Sequence, residues 1–280
     1  MTTGDWTHPE IVDLVRRALA EDIGTGDLTS ESTIDADRHA HGRFYARHRI
    51  VLAGVELLPL IYAEQGGCGA LAILKASGDR CHSGEAVAEV RGLARTLLRC
   101  ERVALNFMQR LSGVATLASR YVAETAGTKC KVLDTRKTTP GLRRVEKLAA
   151  AAGGVTNHRM GLFDAILIKN NHITACGSVT EAVRRALATG REVECEVRTM
   201  EELDEALQAG AKRLLLDNLT PQEAREWIAY IDGRATVELS GGITIETVRA
   251  YAEAGADFVS SGAITHSAPA VDLNFRIEFA

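Results

Sequence analysis

VLDTRKTTPGLRRVEKLAAAAGGVTNHRMGLFDAILIKNNH, residues Val132 to His172, gathers most of the chemically capable side chains of the chain and decides how the rest is read. Between Lys129 and His172 stand nine Lys or Arg against three acids, whereas the whole chain carries −4. A cationic segment inside a mildly acidic protein points to one concentrated anion site rather than to nucleic acid or a membrane surface. Two apolar runs within it, Val132-Leu133 and Ala165 to Ile168, stop at the polar clusters Asp134-Thr-Arg-Lys137 and Lys169-Asn-Asn-His172. A buried parallel strand reads this way where its carboxyl end opens into an active site.

Outward from this stretch the pattern alternates regularly. Strands are expected at Lys131–Leu133, Ala165–Ile168, Val193–Val197, Arg213–Leu216, Thr236–Leu239 and Phe258–Val259. Helices are expected between them at Leu142–Ala152, Val179–Thr189, Met200–Ala209, Pro221–Tyr230 and Ile245–Ala254. Thr220 before Pro221, and Gly190, Gly210 and Gly255 after helices, are caps in their usual places. So many strand–helix units fit an α/β barrel better than a short open sheet, with a doubly wound fold as the structural alternative.

The amino-terminal part differs. Pro9 suits a first helical turn, and Ile11, Val12, Leu14, Val15, Ala18 and Leu19 make an apolar face. Gly24-Thr-Gly-Asp27 has no strand before it and reads as a capped turn rather than a phosphate loop. Short apolar runs broken by glycine from Gly42 to Gly92 suggest a small mixed sheet. A long helix is expected over Ala94 to Ala126, with Arg102, Asn106 and Gln109 along one face and Gly127 near its end. On pattern alone Arg102 is a solvated helix residue. The expected domains are residues 1–127, 128–265 and a segment 266–280 returning to the first. The 46% hydrophobic and 25% charged content is that of a globular protein. The polar start MTTGDWTHPE and the lack of an apolar run of about 20 residues argue against export or a membrane span, so a cytosolic location is expected. The six cysteines have no metal-finger spacing and read as free thiols.

At the carboxyl ends of the expected strands stand Asp134-Thr-Arg136-Lys137, Lys169-Asn-Asn-His172, Glu194-Cys-Glu196, Asp217-Asn218, Ser240-Gly-Gly242 and Ser260-Ser-Gly262. In a parallel α/β architecture these ends share one rim. Arg136, Lys137, His158, Arg159 and Lys169 offer donors suited to carboxylates and phosphates. Ser240-Gly241-Gly242 and Ser261-Gly262 let backbone N–H groups wrap a phosphate. Glu196 and Asp217, two acids amid this positive charge, suit Mg²⁺ held with a substrate diphosphate. A salt bridge to a neighbouring Arg explains those two acids equally well.

Several stretches then resemble one family in fixed order: Glu101-Arg-Val-Ala-Leu-Asn106, Gln109-Arg-Leu-Ser-Gly113, Leu133-Asp-Thr-Arg-Lys-Thr-Thr-Pro-Gly141, Asn157-His-Arg-Met-Gly161, Ile168-Lys-Asn-Asn-His172, Leu216-Asp-Asn218 and Gly262-Ala-Ile-Thr-His266. The family is nicotinate-nucleotide diphosphorylase (carboxylating), or quinolinate phosphoribosyltransferase. The resemblance implies an irregular α/β barrel with fewer than eight strands, a mixed α/β sandwich amino-terminal domain, and a homodimer with shared active sites that can assemble further. The implied reaction joins quinolinate to 5-phosphoribosyl 1-diphosphate with Mg²⁺, releasing diphosphate and CO₂ and leaving nicotinate mononucleotide. By resemblance Arg102 of the second subunit, Arg136, His158, Arg159 and Lys169 would hold quinolinate. Lys137 would face the donor's diphosphate, Glu196 and Asp217 its metal and ribose, and Ser240, Gly241 and Gly262 its 5-phosphate, with His266 assisting. Lys137, Lys169, Glu196 and Asp217 are the catalytic candidates. A second glycine at Gly242, and Cys100 and Cys195 beside motif residues, depart slightly from the family pattern. The alternatives are a molybdenum-transport-associated relative on the same barrel, a Schiff-base aldolase using Lys169, and a non-catalytic anion-binding protein.

Overall fold

The computed structural model describes residues 5–279. In chain order the helices and strands are α1 (Pro9–Ile23), α2 (Leu28–Thr33), β1 (His39–Ala46), β2 (Ile50–Val51), α3 (Leu58–Ala63), β3 (Ala70–Ile73), β4 (Arg80–Cys81), β5 (Ala86–Leu93) and α4 (Ala94–Glu124). They continue as β6 (Lys131–Leu133), α5 (Arg143–Ala152), β7 (Ile166–Ile168), α6 (Asn170–Cys176), α7 (Val179–Leu187), β8 (Val193–Val197) and α8 (Met200–Gln208). Last come β9 (Arg213–Asp217), α9 (Pro221–Ile231), β10 (Thr236–Ser240), α10 (Val248–Glu253), β11 (Phe258–Ser260), α11 (Ala263–His266) and β12 (Leu273–Phe279). Backbone packing divides the chain into two compact units. One contains the residues up to Ser119, Thr138–Gly154 and those from Thr265 onward; the other contains Arg120–Lys137 and Val155–Ile264.

The first unit is built on an antiparallel sheet in the order β12-β1-β5-β3. The β1–β12 register sets Phe44 opposite Phe275, with ring centroids 4.6 Å apart. Two residues earlier, a side chain at Gly42 would overlap the Phe275 ring, so a glycine is needed there. Pro9 opens α1, whose Ile11, Val15 and Leu19 are buried at helical spacing. Asp27 accepts the Ser30 N–H at 3.0 Å and caps α2, which accounts for the Gly24-Thr-Gly-Asp27 turn. Along α4, Leu97, Cys100, Ala104, Met108 and Leu111 are buried at helical spacing.

Residues 138–154, which fall between two parallel strands in the sequence alternation, pack with the first unit. The reason is a buried ion pair. Glu146 on α5 is fully buried and accepts from Arg110 on α4 at 2.7 Å. It also accepts from the Thr139 hydroxyl at 2.7 Å and the Thr139 N–H at 3.0 Å. The remaining Arg110 donors reach the Thr265 and Ala268 carbonyls, both at 2.6 Å.

The second unit is a six-stranded parallel sheet in the order β6-β11-β10-β9-β8-β7. These are the six strands read from the sequence. All five residues of β8 are buried, as in a parallel strand covered on both faces. Ser178, Thr199 and Thr220 each accept an N–H three residues on, capping α7, α8 and α9. Thr156 pairs in parallel with Leu133, so a short extended segment continues the sheet beyond β6. With side chains from that segment, β8, β9 and β10 meeting inside, the unit is barrel-like and has fewer than eight strands. Among the described residues no helix is long and apolar enough to cross a membrane.

Replacing Arg110 with Ala would leave the Glu146 carboxylate buried without its counterion, a change that costs about 3–5 kcal/mol. The urea midpoint of Arg110→Ala should fall accordingly; a loss below about 1 kcal/mol would show that this pair does not hold α5 in place.

Candidate active site

The carboxyl ends of the six parallel strands set the site. The β7–β8 register pairs Ile168 with Cys195, which brings Lys169 alongside Glu196, and their side chains meet at 2.8 Å. Lys169 is half exposed and Glu196 is nearly buried. On the next strand pair Asp217 lies in register with Ser240. Burial and the Glu196 carboxylate raise Asp217 above the usual aspartate range, against Lys169, Lys137 and Arg198, which pull it down. Charged groups from the ends of β6, β7 and β8 therefore act on the carboxylate at the end of β9.

Beyond Asp217 the chain turns through Asn218 at φ 60, a left-handed conformation that Asn tolerates. The Asn218 N–H donates to the Ser240 carbonyl at 2.9 Å and its side-chain amide to Asp217 at 2.7 Å. Gly241, at φ 98, lies so close that an added Cβ would stand 2.5 Å from the Asn218 nitrogen. The β9 and β10 ends are thus pressed together backbone to backbone. Ser261 joins the other ends: its N–H donates to the Leu133 carbonyl at 3.3 Å and its hydroxyl to the Ile243 carbonyl at 2.7 Å. Gly262 follows Ser261 directly in the chain.

The second cluster lies at the end of β6. Asp134 is fully buried and accepts the Asn157 side-chain amide and the His158 N–H, both at 2.7 Å. That clamp sets Arg159 close to Arg136. Burial and the Arg136 guanidinium depress Arg159 from its ordinary value, the mark of two like charges held together. Arg159 Nη1 donates to the Ala165 carbonyl at 3.0 Å, while its Nε is buried without a hydrogen-bond partner.

His158 is placed differently from the substrate role that the resemblance gave it. Its ring turns into the interior, with Nε2 3.2 Å from Glu194 and 3.4 Å from Glu238. Arg213 forks between the same acids, at 2.9 Å to Glu194 and 3.1 Å to Glu238. Burial opposes the imidazolium, but the two carboxylates outweigh it and push His158 up to about 9. The Arg159 N–H, however, donates to Nδ1 at 2.7 Å, which needs a lone pair there. The ring therefore points an Nε2–H at the two acids, and burial raises Glu194 as well. His158, Glu194 and Glu238 bring possible metal-ligand atoms within 4.8 Å of one another. Arg213 already supplies the positive charge between them, so the interior needs no metal.

Arg102 and His266 belong to the first unit. Both are exposed, and Arg102 makes no intrachain hydrogen bond or ion pair among the described residues. His266 Nδ1 lies 2.6 Å from the Ser267 hydroxyl. The structure thus brings together Lys137, Lys169, Glu196 and Asp217, with Ser240, Gly241 and Gly262 on the loops above, and Arg136 with Arg159. Sequence reasoning put Asp134 and Glu194 at the rim without a role of their own and missed Arg198, Arg213 and Glu238 as parts of the site. The available signal was charge inside otherwise apolar strands.

With this geometry in hand, two family models match the chain: "Quinolinate phosphoribosyl transferase, C-terminal domain" over residues 114–276, and the corresponding N-terminal domain over residues 27–112. The chain belongs to the quinolinate phosphoribosyltransferase family. It is 40% identical over 273 residues to a "Probable nicotinate-nucleotide pyrophosphorylase [carboxylating]" of Bacillus subtilis, covering 96% of this chain and 94% of that protein. A chloroplastic protein of the same activity name from Arabidopsis thaliana is 39% identical, over 97% of this chain and 84% of that one. The solved structure of NadC from Streptococcus pyogenes superimposes with a TM-score of 0.92 at 37% identity, over 97% of each chain. Family membership displaces the Schiff-base aldolase reading of Lys169 and makes the strand-end cluster the place to look for transferase chemistry.

Gly241→Ala and Gly242→Ala test the packed β9–β10 ends. Both positions are left-handed, at φ 98 and 61, but nothing lies within 4 Å of a Cβ at Gly242. Left-handed strain of about 1–2 kcal/mol should appear in both, with a further loss in Gly241→Ala only. Equal shifts of the denaturation midpoint would show that the Asn218 approach is not a constraint.

Proposed function

We propose that this chain catalyses the reaction for which its family is named, transferring the 5-phosphoribosyl group of 5-phosphoribosyl 1-diphosphate to quinolinate with loss of CO₂ and diphosphate, to give nicotinate mononucleotide for NAD synthesis. The observation that carries the reading is the joint action of Lys137, Lys169 and Glu196 on Asp217 at the strand ends, beside the crowded Arg136 and Arg159. Two guanidiniums held close with one buried Nε unpaired are costly unless an anion lies between them. The adjacent carboxylates of quinolinate match that demand, since a guanidinium fork takes a carboxylate bidentately.

In this reading Arg136, Arg159 and Lys169 bind quinolinate, and Arg102 reaches it from a second subunit. Lys137 faces the donor's diphosphate, and Ser240, Gly241 and Gly262 its 5-phosphate. His266, exposed beyond that loop, assists there. Glu196 and Asp217 contact the ribose and would hold Mg²⁺. The fit rests on two near carboxylates, of which Asp217 is raised by burial and then by Glu196, a repulsion that a cation relieves. Bound there, Mg²⁺ would neutralise charge on the departing diphosphate. Lys169 and Glu196, now each other's counterion, would each exchange that partner for substrate charge.

The chemistry needs no acid–base pair. As the bond to diphosphate lengthens, oxocarbenium-like charge grows at the sugar C1, and the pyridine nitrogen attacks it. Holding two anionic reactants in line accounts for most of the acceleration. Quaternisation of the nitrogen then lets the neighbouring carboxylate leave as CO₂, its bonding pair staying on the ring carbon, which takes up a proton from water, so the cationic cluster must grip the carboxylate loosely enough to release it. A homodimer with shared sites is supported by the exposed Arg102 and by Leu162 and Phe163, which are 75% and 72% exposed. The six free cysteines suit a reducing compartment, the cytosol.

Carboxyl-labelled quinolinate should release labelled CO₂ only when the sugar donor and Mg²⁺ are both present; binding of quinolinate without release would favour the non-catalytic reading. Lys137→Ala and Arg159→Ala should each lower kcat/KM by about a hundredfold or more with the fold retained. Unchanged kinetics in both would remove the site assignment. Mixed Arg102→Ala and Lys169→Ala subunits should regain activity if sites are shared, and verified exchange without regain would count against sharing.

A further inference from the structure

We infer that His158 is a positioning residue: its ring ties the buried Glu194–Arg213–Glu238 cluster to the backbone of Arg159 and so aims that guanidinium into the anion site. This rests on the quinolinate role proposed for Arg159 and names what holds Arg159 in place.

Both ring nitrogens are committed. Nε2 faces Glu194 and Glu238 at 3.2 and 3.4 Å, and Nδ1 accepts the Arg159 N–H at 2.7 Å. The backbone of His158 is fixed as well, because its N–H donates to the buried Asp134 at 2.7 Å. A ring engaged on both sides presents no free nitrogen to a carboxylate of the substrate. What it does is stop rotation of the 158–159 peptide at the point where the chain leaves the interior.

The acids below are anchored in turn. Glu194 on β8 and Glu238 on β10 are 3% and 1% exposed, and Arg213 on β9 binds both. Three neighbouring strands therefore hold the ring in one orientation. Arg159 is caught at two places, at its N–H by His158 and at Nη1 by the Ala165 carbonyl. The buried, unpartnered Nε remains as the donor that an anion can satisfy. A side chain fixed in this way loses little freedom when the anion arrives, which is how a positioning residue raises affinity.

Two side chains separate the functions of the ring. The amide oxygen of Asn stands near the place of Nδ1 and can accept the Arg159 N–H, but Asn falls short of the acids. Gln reaches the acids and leaves the Arg159 N–H without its acceptor. Quinolinate binding to the full-length protein, measured by calorimetry without the sugar donor, should weaken roughly five- to tenfold in His158→Gln, the effect of losing one hydrogen bond. His158→Asn should stay within about twofold of the parent. The donor KM and the kcat at saturating quinolinate should be little changed in either, which a general loss of structure would not spare.

A double-mutant cycle completes the test. In an Arg159→Ala background there is no guanidinium to aim, so adding His158→Gln should change quinolinate affinity by less than about twofold. Additive losses, or a larger loss in Asn than in Gln, would make His158 a direct ligand or a packing residue and overturn the inference. If His158→Gln does not fold, Glu194→Gln replaces it in the cycle, with the same non-additivity expected and additivity equally decisive against. A parent protein that fails to bind quinolinate would instead sink the proposed function before His158 is touched.

Discussion

The forked contact of Arg213 with Glu194 and Glu238 is the interaction on which the second unit depends. Two carboxylates and a guanidinium inside a barrel cost several kcal/mol each to desolvate, and only close pairing returns it. Here every member has a partner. Burial works against the charge on Arg213, but the two carboxylates more than offset it and hold it protonated. Burial likewise opposes the Glu238 anion, and the hydrogen bond from His158 overrides that and keeps it ionised. A floor in which every charged group is bonded lets the strand ends above it carry like charges.

Strands and helices of that unit were legible because each is a local pattern. Val193–Val197 and Arg213–Asp217 are short runs between good caps, and parallel pairing demands little more of the sequence. The place of α5 was not legible. Nothing near Arg143–Ala152 says that Glu146 will meet Arg110, 36 residues earlier, rather than cover a parallel strand. Such a pairing is decided by tertiary fit, which periodicity does not carry. Helix α6 was also absent from the reading, since Asn170–Cys176 has no buried face to give it a period.

The site divides in the same way. Lys169, Glu196, Asp217 and Ser240 were found because strand ends in a parallel sheet share a rim, a rule independent of side-chain detail. The pair Glu194 and Glu196 exposes the limit of that rule. They alternate by two, so they face the same side of β8, but one lies a layer deeper. The upper acid meets Lys169 at the mouth, and the lower one meets Arg213 and His158 in the interior. Reading them as one cluster merged the binding layer with its support, and His158 was drawn to the wrong layer for the same reason.

The cationic excess around Val132–His172 needs a similar correction. Its nine basic residues do not all serve the mouth. Lys129 is paired with Asp257 at 2.7 Å, and Arg144 with Glu10 at 2.8 Å. Arg143 bonds the Thr138 hydroxyl at 3.1 Å, within the first unit. Lys131 stands at the opposite, starting end of β6, and Lys147 is buried on α5 in the first unit. The groups left for the strand ends are Arg136, Lys137, Arg159 and Lys169, set against Glu196 and Asp217. That balance is far smaller than the raw count, and it suits the proposed chemistry better. A mouth carrying the whole excess would bind anions without discrimination and hold the departing carboxylate and diphosphate too tightly. Four cations tempered by two acids attract crowded negative reactants and still let the products go, which is what differential binding of a transition state requires.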